Sequence, residues 1–386
     1  MSLMGQRSRR SVLHVSQPTE GGVARYVADL ATDQVSRGWD VAVASPTYGE
    51  LSHRIAAAGA RHIPWTAGRM PGPSSVLHAR SLARIVEREQ PDLVHLHSSS
   101  AGLSGRLAVR GRRPTIFQPH AWSFEAVRGP LRAAASAWER KGARWATAIV
   151  CVSEAERLRG EEHGIRARWL VVPNGVDLET NSEASNDERT AARSKLALGD
   201  GPLVVCIGRL SKQKGQDVLL DAWSAVLTRV SGAQLVLVGD GPEANELRRR
   251  AGDRVRLVGH REDVGEWLAA ADVVALPSRW EGMSLGMLEA MARGRSIVAT
   301  DVPGALEALD DDAGAVVPPE DPAALADAIA VRLLDPDQAA AEGRRARQRA
   351  EEAFDLGTTT ARIAEAYDQV LGSRSPASSS TGPKTP

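Results

Sequence analysis

Four groups of side chains stand where chemistry is possible. Glu281 and Glu289 lie eight residues apart in RWEGMSLGMLEAMARG (279–294), among the apolar neighbours Leu285, Met287, Leu288 and Met291. Surface charge explains either carboxylate alone, but it explains the pair poorly, because a carboxylate in apolar surroundings is costly unless polar groups satisfy it. Glu281 falls in a loop and Glu289 within the helix that Gly294 stops, so both reach one cleft at the helix N-terminus. Arg209 and Lys214 share the loop GRLSKQKG, where two cations either grip a diphosphate or stand as exposed charge on a turn. The glycine run of a Walker A loop is missing from it. The N–H groups at Met283, Ser284 and Leu285 would add the positive end of a helix dipole beside those cations. Gly21 and Gly22 in SQPTEGGVARY open a helix and leave its N–H groups approachable by a phosphate, although a tight turn has the same composition. They lack the G-x-G-x-x-G spacing of a dinucleotide fingerprint. His120, in PHAWSFEA near Trp122 and Glu125, reads equally as a satisfied structural histidine and as a substrate contact.

These residues need a scaffold that presents loops at one end of buried strands. Short apolar runs recur at SVLHVS, VAVAS (41–45), LVHLH (93–97), TIFQP (115–119), AIVCV (148–152) and WLVVP (169–173), separated by amphipathic helical stretches. After the polar stretch Thr180 to Thr190, the pattern restarts with LVVCIG (203–208), QLVLVG (234–239), VRLVG (255–259), VVALP (273–277) and SIVAT (296–300). Apolar runs alternating with helices predict parallel sheets covered on both faces, hence an α/β chain of two doubly wound, Rossmann-like domains. In such sheets ligands bind beyond the carboxyl ends of the strands, where all four groups fall. A diphosphate held by cations and helix dipoles, with hydroxyl groups held by carboxylates, describes a nucleotide diphosphate sugar.

The 386 residues, 42% hydrophobic and 25% charged, suit two soluble cores of roughly 150 to 200 residues each. No apolar run has the ~18 to 20 residues of a membrane span and the N-terminus lacks a signal-peptide core, so a cytoplasmic location is expected. Cys151 and Cys206 sit in strand-like runs and read as core packing, not as a disulfide or metal framework. The net charge of zero divides unevenly: residues 1–180 carry 24 Lys and Arg against 16 Asp and Glu, and the remainder 24 against 32. Much of the basic excess lies at Arg106, Arg110, Arg112, Arg113, Arg128, Arg132, Arg140, Lys141 and Arg144, either a face for anionic lipid or a solvated helix surface. Asp310 to Asp312 read as surface charge in a turn, not as a metal site. From Pro322 to Leu371 the period is helical, and GSRSPASSSTGPKTP is expected to be a disordered tail.

The sequence resembles retaining glycosyltransferases of family 4, through GRLSKQKG, through PSRWEGMSLGMLEAMARGRSIVATDVPG with the E-x7-E pattern at Glu281 and Glu289, and through VVPNGVD (171–177). The resemblance implies the GT-B fold: an acceptor-binding domain at 1–178, a linker at 179–200, a donor-binding domain with terminal helices at 201–372, and a tail at 373–386. It implies that Arg209 and Lys214 bind the donor diphosphate, that Glu281 holds donor-sugar hydroxyls and that Glu289 holds the ribose. Gly21 and Gly22 would approach the donor phosphate or the acceptor, and His120 the sugar near its anomeric carbon. GHREDV, from Gly259 to Val264, would meet the nucleobase through its backbone. The implied reaction is metal-independent, uses no cofactor, and takes a UDP-sugar in preference to a GDP-sugar. Its acceptor would be a saccharide or a polyprenyl-diphosphate-linked saccharide for capsule or exopolysaccharide, at a membrane face and without nucleic acid. A nucleotide-sugar epimerase and a non-catalytic nucleotide-sugar-binding protein are the alternatives weighed against it.

Overall fold

The computed structural model describes residues 9–68, 74–310 and 312–372. The first sheet contains β1 (Ser11–Ser16), β2 (Asp40–Ser45), β3 (Arg61–Pro64), β4 (Leu93–His97), β5 (Thr115–Gln118), β6 (Ala148–Cys151) and β7 (Trp169–Val171). The second contains β8 (Leu203–Ile207), β9 (Gln234–Val238), β10 (Val255–Leu257), β11 (Val273–Leu276), β12 (Ser296–Thr300) and β13 (Gly314–Val317). Both are wholly parallel, in the orders β3-β2-β1-β4-β5-β6-β7 and β10-β9-β8-β11-β12-β13. This is the expected pair of doubly wound domains. Each order reverses once, between β1 and β4 and between β8 and β11, and a crevice opens beyond the strands at such a switch point.

Burial on both faces explains why the central strands are largely apolar: all residues of β4, β5, β8, β11 and β12 are buried, the polar His95, His97 and Gln118 among them. The edge strands β3 and β13 escaped the sequence pattern. In β3 the exposed Arg61 and Pro64 flank the buried Ile63, and in β13 only Val317 is buried.

Two segments depart from the expected division. The polar stretch taken as a linker at 179–200 contains a helix, Asn186–Lys195, started by a capping box in which the Ser185 hydroxyl accepts from the Glu188 N–H and Glu188 reaches back. Ala192 is buried there, and Arg189 and Arg193 both pair with Asp272, tying the helix to the second sheet. A helix docked by one small side chain and three ion pairs, the third between Lys195 and Glu266, leaves little apolar signal. The last helix, Leu356–Gly372, is grouped by sequence with the second domain, but it crosses back to the first. Ile363, Tyr367 and Val370 complete a core with Val12, Tyr26, Leu30, Leu93 and Val150. The crossing is pinned where the Val176 N–H donates to Phe354 and the Leu356 N–H donates back to Val176. The tail at 373–386 lies outside the described residues.

Candidate functional site at the seam between the two domains

The loop after β8 is shaped by glycines that no other residue replaces. A methyl group on Gly215 (φ 66°) would lie 2.0 Å from the Pro277 carbonyl oxygen, and one on Gly239 2.0 Å from that of Gly208. The first approach folds the Arg209–Lys214 loop against the loop after β11, and the second packs its start against the loop after β9. Gln216 fastens it from within, its amide donating to the Arg209 carbonyl at 3.1 Å and accepting from the Ser211 N–H at 3.4 Å. Arg279 fastens it from outside, with two 2.8 Å bonds to the Asp217 carboxylate, one to the Lys212 carbonyl at 2.8 Å and one to Glu320 at 3.0 Å.

Lys214 and Glu281 meet in an ion pair, and Glu281 also accepts from the Ser278 hydroxyl at 3.1 Å. Among the described residues Arg209 has no ion-pair partner; burial lowers its pKa and the nearby Glu20 works against that. Its charge is therefore free to meet an anion. Glu289, in the helix Leu285–Ala292, is as buried as Glu281, each at 9% exposure. Burial pushes the Glu289 carboxyl up, and Arg25 of the first domain, paired with it, pulls the other way. So both carboxylates are satisfied by cations, as their apolar setting requires. At the start of the same helix Ser284 provides no side-chain cap, leaving the N–H groups around Met283 to Leu285 open.

The first domain supplies the facing wall. A methyl group on Gly22 would lie 3.7 Å from the Leu285 side chain, so the Gly21–Gly22 turn faces the N-terminus of the Leu285–Ala292 helix. His120 follows β5 with φ 61°, a left-handed conformation that costs a non-glycine residue energy and recurs at functional sites. Its carbonyl abuts Gly282, where a methyl group would lie 2.8 Å from the His120 oxygen and 2.7 Å from Val152. The His120 ring packs edge-on to Tyr26 at 5.0 Å, and burial lowers its pKa to about 3. Asn174 of VVPNGVD crosses the seam too, donating to the Met283 carbonyl at 2.7 Å.

The structure thus brings together Arg209, Lys214, Glu281, Glu289, Met283, Ser284, Leu285, Gly21, Gly22 and His120. Gly259 stands beyond them just past β10, joined to the group because the Gly239 N–H donates to its carbonyl at 2.8 Å, and Val264 opens the helix Val264–Ala270 that follows. Arg25, Arg279 and Asn174 were not singled out individually by sequence. Arg279 reads as an exposed turn charge, and the Arg25–Glu289 contact spans 264 residues. Asn174 alone left a trace, within VVPNGVD.

Two expectations need correction or completion. Arg106 is no part of a basic surface: it is fully buried, donates to Glu139 at 2.7 Å and lies 3.9 Å over the Phe117 ring. Arg112 and Arg113 turn onto backbone carbonyls. Asp310 faces Arg345 and Arg349, and Asp311 lies outside the described residues.

Two facing Rossmann-like domains with a site at the seam of their strand ends define the GT-B class. Residues 201–335 match the family described as "Glycosyl transferases group 1", and residues 20–180 match "Glycosyltransferase Family 4". A GDP-mannose-dependent alpha-(1-6)-phosphatidylinositol monomannoside mannosyltransferase of Mycolicibacterium smegmatis is 31% identical over 375 residues, 90% of this chain and 95% of its own length. A UDP-Gal:alpha-D-GlcNAc-diphosphoundecaprenol alpha-1,3-galactosyltransferase of Escherichia coli is 30% identical over 58% of this chain and 61% of its own. The crystal structure of Anabaena HepE in complex with UDP and glucose superposes with a TM-score of 0.81 at 24% identity, covering 93% of this chain and 100% of that one. The chain belongs to glycosyltransferase family 4 and is a glycosyltransferase that uses nucleotide-sugar donors.

Proposed function

We propose that the protein transfers a hexosyl or N-acetylhexosaminyl group, with retention and without a metal, from a nucleotide diphosphate sugar to a saccharide or lipid-linked saccharide acceptor in surface polysaccharide or glycoconjugate synthesis. The observation that carries this reading is the meeting of Arg209 and Lys214 with Glu281 and Glu289 at one seam, opposite Gly22 and His120. Cleavage of the sugar–phosphate bond places negative charge on the departing diphosphate, and cations already aimed there lower the barrier. Lys214 then exchanges Glu281 for phosphate, and Glu281 turns to the sugar hydroxyls. Glu289 exchanges Arg25 for the ribose in the same way. The acceptor hydroxyl attacks from the leaving-group face and gives its proton to the departing phosphate, so no flanking pair of acid and base carboxylates is required.

The relatives named above take different donors, a GDP-sugar in one and a UDP-sugar in the other. We place UDP-sugars first. A panel of UDP- and GDP-sugars, read by release of free nucleotide diphosphate and by thermal stabilisation, tests the assignment. Hydrolysis of one donor supports it, and a chain that neither binds nor cleaves any donor overturns it.

A peripheral membrane contact belongs to the same proposal. Among the described residues no helix is long and apolar enough to cross a membrane. On the Gly129–Ala143 helix, Leu131 is exposed next to the exposed Arg132, and Arg140 and Lys141 are exposed further along the same helix. Basic side chains around an apolar one suit an anionic surface, with binding that weakens as salt rises. Absence of vesicle binding at low salt removes this part.

A further inference from the structure

Behind His120 runs a line of buried side chains that the transfer chemistry does not use. His14 Nε2 lies 2.8 Å from the Gln34 side-chain oxygen Oε1, His14 Nδ1 lies 2.9 Å from His97 Nε2, and His97 Nδ1 lies 3.2 Å from His120 Nε2. A branch leaves Gln34 in the other direction. Its amide nitrogen donates to the Tyr367 hydroxyl at 3.4 Å, and that hydroxyl lies 2.6 Å from His95 Nδ1. Parallel pairing places the rings: His14 on β1 is in register with His95 on β4, and His97 ends that strand beside Gln118.

A neutral imidazole has one N–H and one lone pair, so the state of each ring dictates that of the next. The Gln34 oxygen only accepts, which puts the His14 proton on Nε2 and leaves Nδ1 as an acceptor. His97 must then donate from Nε2, and His120 must donate from Nε2 to His97 Nδ1. We propose that Gln34, His14 and His97 are positioning residues that hold His120 as the Nε2–H tautomer, presenting its Nδ1 lone pair to a hydroxyl of the donor sugar. On the branch, the Tyr367 hydroxyl receives the Gln34 N–H and donates to His95 Nδ1, so His95 carries its proton on Nε2 as well. All four rings thus point one way from a single amide. Burial supports the arrangement, lowering the pKa of His14 to about 4 and those of His95 and His97 well below the usual value, so that the rings stay neutral.

His14, His95 and His97 also bring one nitrogen each within 4.8 Å of one another, which invites comparison with a three-histidine metal site. The His14 and His97 nitrogens lie 2.9 Å apart in a hydrogen bond. Two imidazole ligands on one tetrahedral zinc would be separated by about 3.3 Å, with both lone pairs on the ion. The geometry favours a shared proton.

The proposal rests on the reading of His120 as a donor-sugar contact, but its first test does not. Nitrogen-15 NMR of the histidine rings in the ligand-free full chain is expected to show protonated Nε2 and bare Nδ1 at His14, His95, His97 and His120. A protonated Nδ1 at His120, or one equivalent of retained zinc that is lost on His14→Ala, overturns the proposal whatever the donor assay shows. Gln34→Leu removes the anchoring oxygen and should mix the tautomers of His14, His97 and His120. With them, kcat/KM for donor hydrolysis should fall about tenfold, the worth of one hydrogen bond to the sugar. Gln34→Glu, which still accepts from His14 but cannot donate to Tyr367, should restore the tautomers of His14, His97 and His120 and most of the rate. Wild-type tautomers in Gln34→Leu also overturn the proposal. If the tautomers are as expected and no donor is cleaved by the wild type, the reading of His120 fails and the fixed chain stands.

Discussion

Gly282→Ala probes the seam where it is tightest. A methyl group there would lie 2.7 Å from Val152 Cγ2, 2.8 Å from the His120 carbonyl oxygen and 3.1 Å from its carbon, all contributed by the first domain. Backbone atoms cannot swing aside as a side-chain end can, so relief has to come from opening the seam. Overpacking of this kind costs about 1–3 kcal/mol. Charged against the closed arrangement alone, that lowers its population, and so the turnover, by roughly 5- to 150-fold at 1.36 kcal/mol per decade. The proposed donor grip at Arg209, Lys214 and Glu289 lies on the second domain and should survive. Steady-state donor hydrolysis and donor-induced thermal stabilisation, measured side by side, should therefore show kcat reduced and stabilisation nearly kept. Gly252→Ala is the control, since a methyl group there meets nothing within 4 Å. Gly282→Ala turnover within twofold of that control would refute the closed seam as the working state.

Further predictions follow from the same contacts. Arg25→Ala leaves the Glu289 carboxylate buried without its cation, so its pKa rises further and the donor KM should increase, most at low pH; an unchanged KM–pH profile would contradict the pairing. Arg279→Lys gives up the forked grip on Asp217 and should lower kcat/KM for the donor by about tenfold with little change in melting temperature, which kinetics and a thermal scan would check together. Glu156 is buried, accepts from the Val152 N–H at 2.8 Å, and is pushed up to about 8 chiefly by burial. The fold keeps its proton while the unfolded chain loses it above the ordinary carboxylate pKa of 4.5, so its contribution to stability declines as pH rises from 4.5 to 8. Glu156→Gln should therefore gain on the wild type across that window, by up to about 4–5 kcal/mol in denaturation at pH 8, and a pH-independent difference would sink the argument. The neutral histidines act in the opposite sense, costing stability as pH falls from 6.5 towards 4.

The sequence made the second domain's half of the site legible because each part is local. Arg209 and Lys214 share one loop, and Glu281 and Glu289 share one turn and helix, so strand, loop and helix signals were enough to place them. The two sheets were legible for a related reason: a strand buried on both faces is an apolar run, whichever neighbours it pairs with. Contacts that depend on the approach of two domains left no such mark. Arg25 reads as one more polar position on an amphipathic helix, and only the fold sets it against Glu289. The helix Leu356–Gly372 was misassigned because the apolar stripe around Ile363, Tyr367 and Val370 says that it packs and not against which core. The chain of histidines was invisible for both reasons, since His14, His95, His97 and Gln34 meet only through parallel register and a helix laid across it.

The central claim is that Arg209 and Lys214 act on the leaving diphosphate of a nucleotide sugar whose hydroxyl groups are held by Glu281 and Glu289. Its most direct test is the rate at which free nucleotide diphosphate is released from the preferred donor, compared between the wild type and Lys214→Ala at equal thermal stability. A fall of orders of magnitude in Lys214→Ala, with the fold intact, is the predicted result; near-normal release would contradict the account.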